Sequence, residues 1–272
     1  MTSDLEVAQQ IAQAVAVKAL QMQADAGPVD FDNREDIKAL KDSGDAAAQV
    51  IIDEILDELR PDDARLSEER PDDLTRLDAD RVWITDPIDG TSNFGRRGTE
   101  FAVHVALWER DKGFTAAAVG APAEGRILLN DEPTGFVLPE RGLDDPVRIV
   151  SSRSRPSNVT KAKEGKALFE EFLKDAGVTN AGVEIVPTSS AGIKTVRIID
   201  GHGDVYINDS GFFEWDAAAP YALAVAHGLK VTHSDGSKIE FNQRDIKVDS
   251  FVVARPELHP HIIEFIQLHK PK

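Results

Sequence analysis

The chain has 272 residues, 41% of them apolar, and a formal net charge of −17 from 48 acidic and 31 basic residues. That apolar content supports a sizeable core and excludes wholesale disorder, while the negative balance repels nucleic-acid backbones and anionic membranes alike. With no cysteine, disulfides, thiolate chemistry and Cys-ligated zinc are excluded together, and a cytoplasmic setting is expected.

The opening segment "MTSDLEVAQQIAQAVAVKALQMQ" has no basic n-region, long apolar run or small-residue cleavage site, and no later segment is apolar for long enough to span a bilayer. A soluble, unprocessed protein is expected. Leu5, Ala8, Ile11, Val15, Ala19 and Met22 recur at helical spacing, as do Val50, Ile51, Ile55 and Leu59 before Pro61. From Arg81 to Asn130 the period shortens to that of strands: Val82 to Ile84 is a short apolar run, Phe101, Val103, Val105 and Leu107 alternate, and "FTAAAV" and "RILL" flank a turn. After Pro146, strands are expected at "VRIV", "VEIV", "DVYIN" and "SFVVA". Helices are expected at Ala162 to Lys174, Ser190 to Ile199, Glu214 to His227 and His259 to His269. The turn-rich stretch "NDEPTGFVLPERGLDDP" separates an N-terminal half, residues 1–146, from a C-terminal half, residues 147–272, of a layered α/β protein.

The stretch "WITDPIDGTSNF" holds the chemistry. Taken alone, Asp-Pro and Asp-Gly are turn formers, and the segment reads as a turn that ends a strand. Its distant neighbours change the reading: Glu68 and Glu69 stand upstream in "LSEERPDD", and Asp216 opens an expected helix in "FEWDAAAP". If the fold gathers Glu68, Asp86, Asp89 and Asp216, their repulsion in low dielectric requires either protonation or cations. Hard oxygen donors, with no cysteine and no dense histidine pattern, select Mg²⁺, which commonly binds substrate phosphate as well. Gly90 and Thr91 lead into "SNF", so amides there would sit at a helix N-terminus, where anions are favoured. Metals beside a phosphate cradle suit hydrolysis of a phosphomonoester.

"SEE", "DPIDGTSNF" and "EWDAAAP", in that order, resemble the inositol monophosphatase superfamily of Mg²⁺-dependent, lithium-sensitive phosphatases, which also holds fructose-1,6-bisphosphatases and 3′(2′),5′-bisphosphate nucleotidases. The resemblance implies an αβαβα sandwich and two or three Mg²⁺ ions. It implies metal ligation by Glu68, Asp86, Asp89, Asp216 and the backbone carbonyl of Ile88, and substrate contacts from Gly90, Thr91, Ser92 and Asp216. Thr91 matches the hydroxyl that positions the attacking water, and an ungapped count back from Glu68, itself placed in the catalytic set, makes Asp45 of "DSGDAAAQ" its partner. Over most of the chain, through "TEFAVHVALWE", "VSSRSRP" and "HGLKVTHSDGSKIEFNQRD", it is most similar to the actinobacterial CysQ-type branch. That implies conversion of 3′-phosphoadenosine 5′-phosphate to AMP and phosphate, as in sulfate assimilation, by an enzyme of a family whose members are often homodimers.

Alternatives stay open. "DGTSNF" reads like the inositol and fructose phosphatase form, since many nucleotidases carry an acidic residue in place of Asn93, and "AHGL" stands where much of the superfamily has Ala-Gly-Gly. Inositol 1-phosphate and fructose 1,6-bisphosphate are therefore rival substrates. A non-catalytic relative that binds metal and phosphate is a further reading, and the lack of a Lys/Arg stripe argues against a nucleic-acid groove. Ser152, Arg153 and Ser154, after "VRIV", are candidates for a substrate phosphate or nucleotide, against a plain solvated turn. Lys194 resembles a nucleotidase lysine for a second phosphate, against an exposed helix lysine. Asp209 to Gly211 form a turn with no contact assigned. Trp83 and Trp215 read as packing aromatics. His259 and His261 read as surface residues flanking Pro260, and no histidine is given a role.

Overall fold

The computed structural model describes residues 2–269 except 29, 31, 132–135, 154, 155, 158, 160–162 and 210. Ser154, Ser210, the expected helix start at Ala162 and residues 132–135 of the expected boundary lie outside the described residues.

Helix α1 (Asp4–Asp25) opens on a capping box, in which the Ser3 hydroxyl accepts from the Glu6 amide at 3.2 Å and Glu6 accepts from the Ser3 amide at 2.7 Å. Helix α2 (Arg34–Leu59) is capped by Asn33 and starts well before the apolar pattern that announces it. Its buried face runs through Leu40, Ala48, Ile52 and Leu56, so Val50, counted among the apolar positions of that helix, is instead 54% exposed.

Five strands, β1 (Ala64–Ser67), β2 (Arg81–Asp89), β3 (Ala102–Glu109), β4 (Gly113–Ala121) and β5 (Arg126–Leu129), form one sheet in chain order. Only β1 and β2 run parallel. A short helix, α3 (Thr91–Gly95), follows β2. The second sheet draws on β6 (Val147–Ser151), β7 (Val183–Pro187), β8 (Val205–Asn208), β10 (Lys230–Thr232) and β12 (Phe251–Ala254), in the order β10-β12-β8-β6-β7. The ribbon of β9 (Phe212–Phe213) and β11 (Lys247–Val248) stands apart.

The remaining helices are α4 (Lys163–Asp175), α5 (Ala191–Ile199), α6 (Glu214–Ala226) and α7 (His259–Leu268). Helices α1 and α2 cover the outer face of the first sheet, with Ile11, Val15, Ile52 and Leu56 packed with Trp83, Val103, Val105 and Leu107. Helices α5 and α6 lie between the sheets, where Val196 and Leu223 join Ile84, Ala106 and Val119 on one side and Val150 and Tyr206 on the other. Helices α4 and α7 close the far face through Phe169, Leu173, Ile262 and Phe265. The result is an αβαβα sandwich. Because the central strands are covered on both faces, Ala102 and Ala106 are as buried as the alternating Phe101, Val103 and Val105. Among the described residues, no helix is long and apolar enough to cross a membrane.

Candidate active site

Side chains alternate along a strand, so two carboxylates three residues apart would ordinarily face opposite sides of the sheet. In β2 the residue opposite Asp86 is His104 and the residue opposite Asp89 is Ala102, so three steps on one strand match two on the other. This one-residue bulge restores the phase. Pro87, which has no N–H to give the ladder, occupies it. Ile88 buries its side chain in the core under α1 and α2, which leaves its main chain at the cleft, while Asp86 and Asp89 both face the middle helices. The segment first read as a turn is thus the last stretch of a strand. The reversal comes at Gly90, where φ is +90° and an added Cβ would lie 3.0 Å from the Glu100 carbonyl oxygen, so conformation and space both require glycine.

The parallel register of β1 on β2, which ends at Ser67 opposite Thr85, carries the next residue, Glu68, alongside Asp86. Asp216 enters from the first turn of α6, where it accepts the Phe213 amide at 2.7 Å. Carboxylate oxygens of Asp86, Asp89 and Asp216 lie within 4.8 Å of one another. With Glu68 they line a cleft of about 250 Å³.

Crowding shows in the protonation equilibria. Burial, then the charges of Glu68, Asp89 and Asp216, push the Asp86 carboxyl well above the carboxylate range. Burial and the Asp89 charge raise Asp216 to about 7. Glu68, on the solvent side, is raised by its low-dielectric backing and by Glu69 and Asp89. Asp89 goes the other way: burial pushes it up, but His104, the Ser190 hydroxyl and Lys194 outweigh that and hold it at about 2. Asp86 Oδ1 is buried and, among the described residues, has no hydrogen-bond partner. An orphaned carboxylate oxygen in an all-oxygen acidic cluster is the donor set of a hard divalent cation, so the residues fit a metal such as Mg²⁺.

The adjoining wall carries groups that could receive an anion. Gly90, Thr91 and Ser92 line the cleft at the start of α3, and the first amides of a helix have no partner within it. Ser152 and Lys194 line the same cleft from the second sheet and α5. Lys194 is 4% exposed, with its ammonium 4.7 Å from the centre of the Tyr206 ring, so it is not an exposed helix lysine. Asp45 is buried on α2 behind this wall, where burial and then Glu69 and Glu68 raise it to about 7. Gly44 lets α2 come that close, since a Cβ there would sit 2.3 Å from the Phe94 ring. Among the described residues no hydrogen bond joins Asp45 to Thr91, and the cleft lining does not include Asp45. Nor does it include Arg153, whose guanidinium is paired with Glu100 at the rim; Glu100 also accepts the Ser189 amide at 3.0 Å. The Asn93 side chain accepts the Glu100 amide at 3.0 Å and so serves the loop after α3.

Other expectations are corrected or fixed in place. His259 is half-buried, its Nε2 2.9 Å from the Thr232 hydroxyl, rather than a surface residue. Trp83 is fully buried and donates to Asp63 at 2.8 Å, while Trp215 packs at 4.9 Å against Phe213. The residues that sequence reasoning missed surround Asp89: its Oδ2 accepts from Ser190 Oγ at 2.5 Å and the Gly192 amide at 3.1 Å, and lies 3.3 Å from His104 Nε2. A signal existed, because His104 is the polar residue that interrupts the apolar run "FAVHVALW", and a buried polar group needs a partner.

Residues 2–270 match the inositol monophosphatase family. A 3′-phosphoadenosine 5′-phosphate phosphatase of Mycobacterium leprae is 35% identical over 267 residues, covering 93% of each chain. The 3′(2′),5′-bisphosphate nucleotidase CysQ of Salmonella typhimurium is 28% identical across 89% of this chain and 95% of its own. Among solved structures, CysQ from Bacteroides thetaiotaomicron superposes with a TM-score of 0.72 at 25% identity, covering 94% of this chain and 98% of its own. Inositol monophosphatase II of Staphylococcus aureus shares the fold with the same TM-score at 19% identity, over 97% and 95%.

Proposed function

Because this chain belongs to the inositol monophosphatase family, we propose that it is a Mg²⁺-dependent phosphomonoesterase that hydrolyses 3′-phosphoadenosine 5′-phosphate to AMP and phosphate. The observation that carries the hydrolase reading is the convergence of Asp86, Asp89 and Asp216 within 4.8 Å on a cleft that also presents Thr91. The nucleotide is assigned from the name of the mycobacterial relative, which aligns along nearly the whole chain.

Glu68, Asp86, Asp89, Asp216 and the main chain at Ile88 are the residues that would hold the cations. Bound there, Mg²⁺ supplies positive charge to the carboxylates and the phosphoryl oxygens and lowers the pKa of water. The amides of Gly90, Thr91 and Ser92 receive phosphate oxygens, fixing phosphorus at the head of α3. The Thr91 hydroxyl orients the attacking water, and Asp45, whose burial favours taking up a proton, accepts it through Thr91. That path requires Asp45 to reach the Thr91 hydroxyl, with which it shares no hydrogen bond among the described residues. Lys194, with Ser152 and Arg153, meets the second phosphate or the nucleoside, and Arg153 exchanges Glu100 for substrate. The N-terminal half, residues 1–146, thus supplies most of the metal ligands, and the C-terminal half, residues 147–272, supplies Asp216 and the specificity contacts. Two or three ions, a cytoplasmic location and a homodimer complete the reading on family resemblance.

Inositol 1-phosphate and fructose 1,6-bisphosphate are the rival substrates. The sequence feature that favoured them, Asn93, lines the cleft while its side-chain oxygen accepts the Glu100 amide, so it keeps the rivals open. The test is phosphate release in Mg²⁺ from all three compounds in parallel, compared as kcat/KM. Preference for the nucleotide supports the assignment; preference for a sugar or inositol phosphate keeps the chemistry and overturns the substrate. Full activity in chelator overturns the metal mechanism.

A further inference from the structure

Asp89 is held unlike the other carboxylates of the cluster. Its Oδ2 takes two donors from one element remote in sequence, Ser190 Oγ at 2.5 Å and the Gly192 amide at 3.1 Å at the start of α5, and His104 Nε2 of β3 lies 3.3 Å away. His104 is fully buried, and its Nδ1 lies 3.4 Å from the carbonyl of Trp215, the residue before Asp216. Gly192 must be glycine for this approach, because a Cβ would stand 2.4 Å from His104 Nε2 and 2.9 Å from Ala102 Cβ.

Ser190 itself is strained. It caps α5 by accepting the Ile193 amide at 3.2 Å, yet its backbone stands at φ +65° and ψ 134°, a conformation that a residue with a Cβ rarely adopts. A glycine, with no Cβ, would occupy that conformation with less strain and would cap the helix nearly as well. What a glycine lacks is the hydroxyl that donates to Asp89.

We propose that Ser190, supported by Gly192 and His104, is a positioning residue that occupies one oxygen of Asp89 so that only the other faces the cation. The inference rests on the phosphatase reading above, in that the cluster must take up a divalent metal. Residues that orient a ligand are commonly worth a factor of about 10 to 100 in metal affinity. Removing the hydroxyl should therefore weaken metal binding, while relief of the backbone strain offsets the lost cap and the lost bond to Asp89, and keeping the hydroxyl on a bulkier side chain should hold affinity and cost stability.

The experiment is calorimetric titration of the metal-free chain with Mn²⁺, for wild type, Ser190→Gly and Ser190→Thr, together with thermal midpoints in chelator. Ser190→Gly is expected to bind Mn²⁺ about tenfold more weakly or worse with a midpoint close to wild type. Ser190→Thr, β-branched at positive φ, is expected to show a lower midpoint with affinity near wild type. Wild-type affinity in Ser190→Gly, or equal losses of affinity in both variants, overturns the positioning role and leaves the phosphatase reading standing. A wild-type chain that takes up no Mn²⁺ overturns both.

Discussion

Replacing Asp216 with Asn removes a carboxylate that burial and the Asp89 charge have raised from 3.8 to about 7. An acid whose folded-state pKa is raised contributes most to stability below its unfolded value and loses that contribution as pH rises toward the folded value. At about 1.4 kcal/mol per unit, the metal-free protein should lose on the order of 4 kcal/mol through this group by pH 8, but only about 2 kcal/mol by pH 5. The Asn Oδ1 can still accept the Phe213 amide now bonded at 2.7 Å, so the helix start is preserved. In chelator, Asp216→Asn should therefore melt above wild type, by roughly 10 °C at pH 8 and roughly half that at pH 5, at 2–4 °C per kcal/mol. In saturating Mg²⁺ the gap should shrink or invert, because the cation neutralises the wild-type charge and finds one ligand fewer in the variant. Scanning calorimetry at the two pH values, with and without Mg²⁺, checks this. A variant that melts below wild type at pH 8 in chelator, or a gap independent of pH, would refute the picture of a cluster strained by its own charge.

Thr91→Ala should lower kcat by about 10²–10⁴ while the thermal midpoint in chelator stays within a degree or two, as Thr91 is only half-buried; a change confined to KM would remove it from the chemistry. Gly44→Ala drives a methyl to within 2.3 Å of the Phe94 ring and should cost about 1–3 kcal/mol in urea unfolding, with wild-type stability showing that α2 has room to move. Lys194→Met keeps the buried stem over Tyr206 but removes the charge, so KM for 3′-phosphoadenosine 5′-phosphate should rise about tenfold or more while that for inositol 1-phosphate moves less. Equal effects on the two substrates would show that Lys194 acts on the metal cluster through Asp89 instead. Excess Ca²⁺ should inhibit by competing with Mg²⁺, since the larger ion relaxes the octahedral geometry; steady-state rates at fixed Mg²⁺ check it.

Much of this protein was legible before any coordinate. Helical periodicity marked α1, part of α2 and all four long helices of the C-terminal half, and strand-like runs marked most of both sheets, because burial of a helix stripe or a strand is written every few residues. The strands β1, β9, β10 and β11 were not anticipated, because none holds more than two apolar residues in a row, whereas the equally short β5, β8 and β12 each carry a run of three or more. The acidic residues of the cleft were also legible, since crowded carboxylates with no cysteine and no dense histidine pattern admit few chemistries. Local pattern had no access to what brings them together. The bulge at Pro87 that turns Asp86 and Asp89 to one side is a matter of register against β3, not of composition. The burial of Lys194, the diversion of Arg153 to Glu100, and the grip of Ser190 on Asp89 from 101 residues away all depend on which elements the sandwich stacks against each other. The sequence by itself determined which groups are available to the site, because hydrophobic period and side-chain chemistry are local properties. Which oxygen of which carboxylate is left free was decided by the tertiary structure alone, because hydrogen bonds and low dielectric act through space across segments that the chain order keeps far apart.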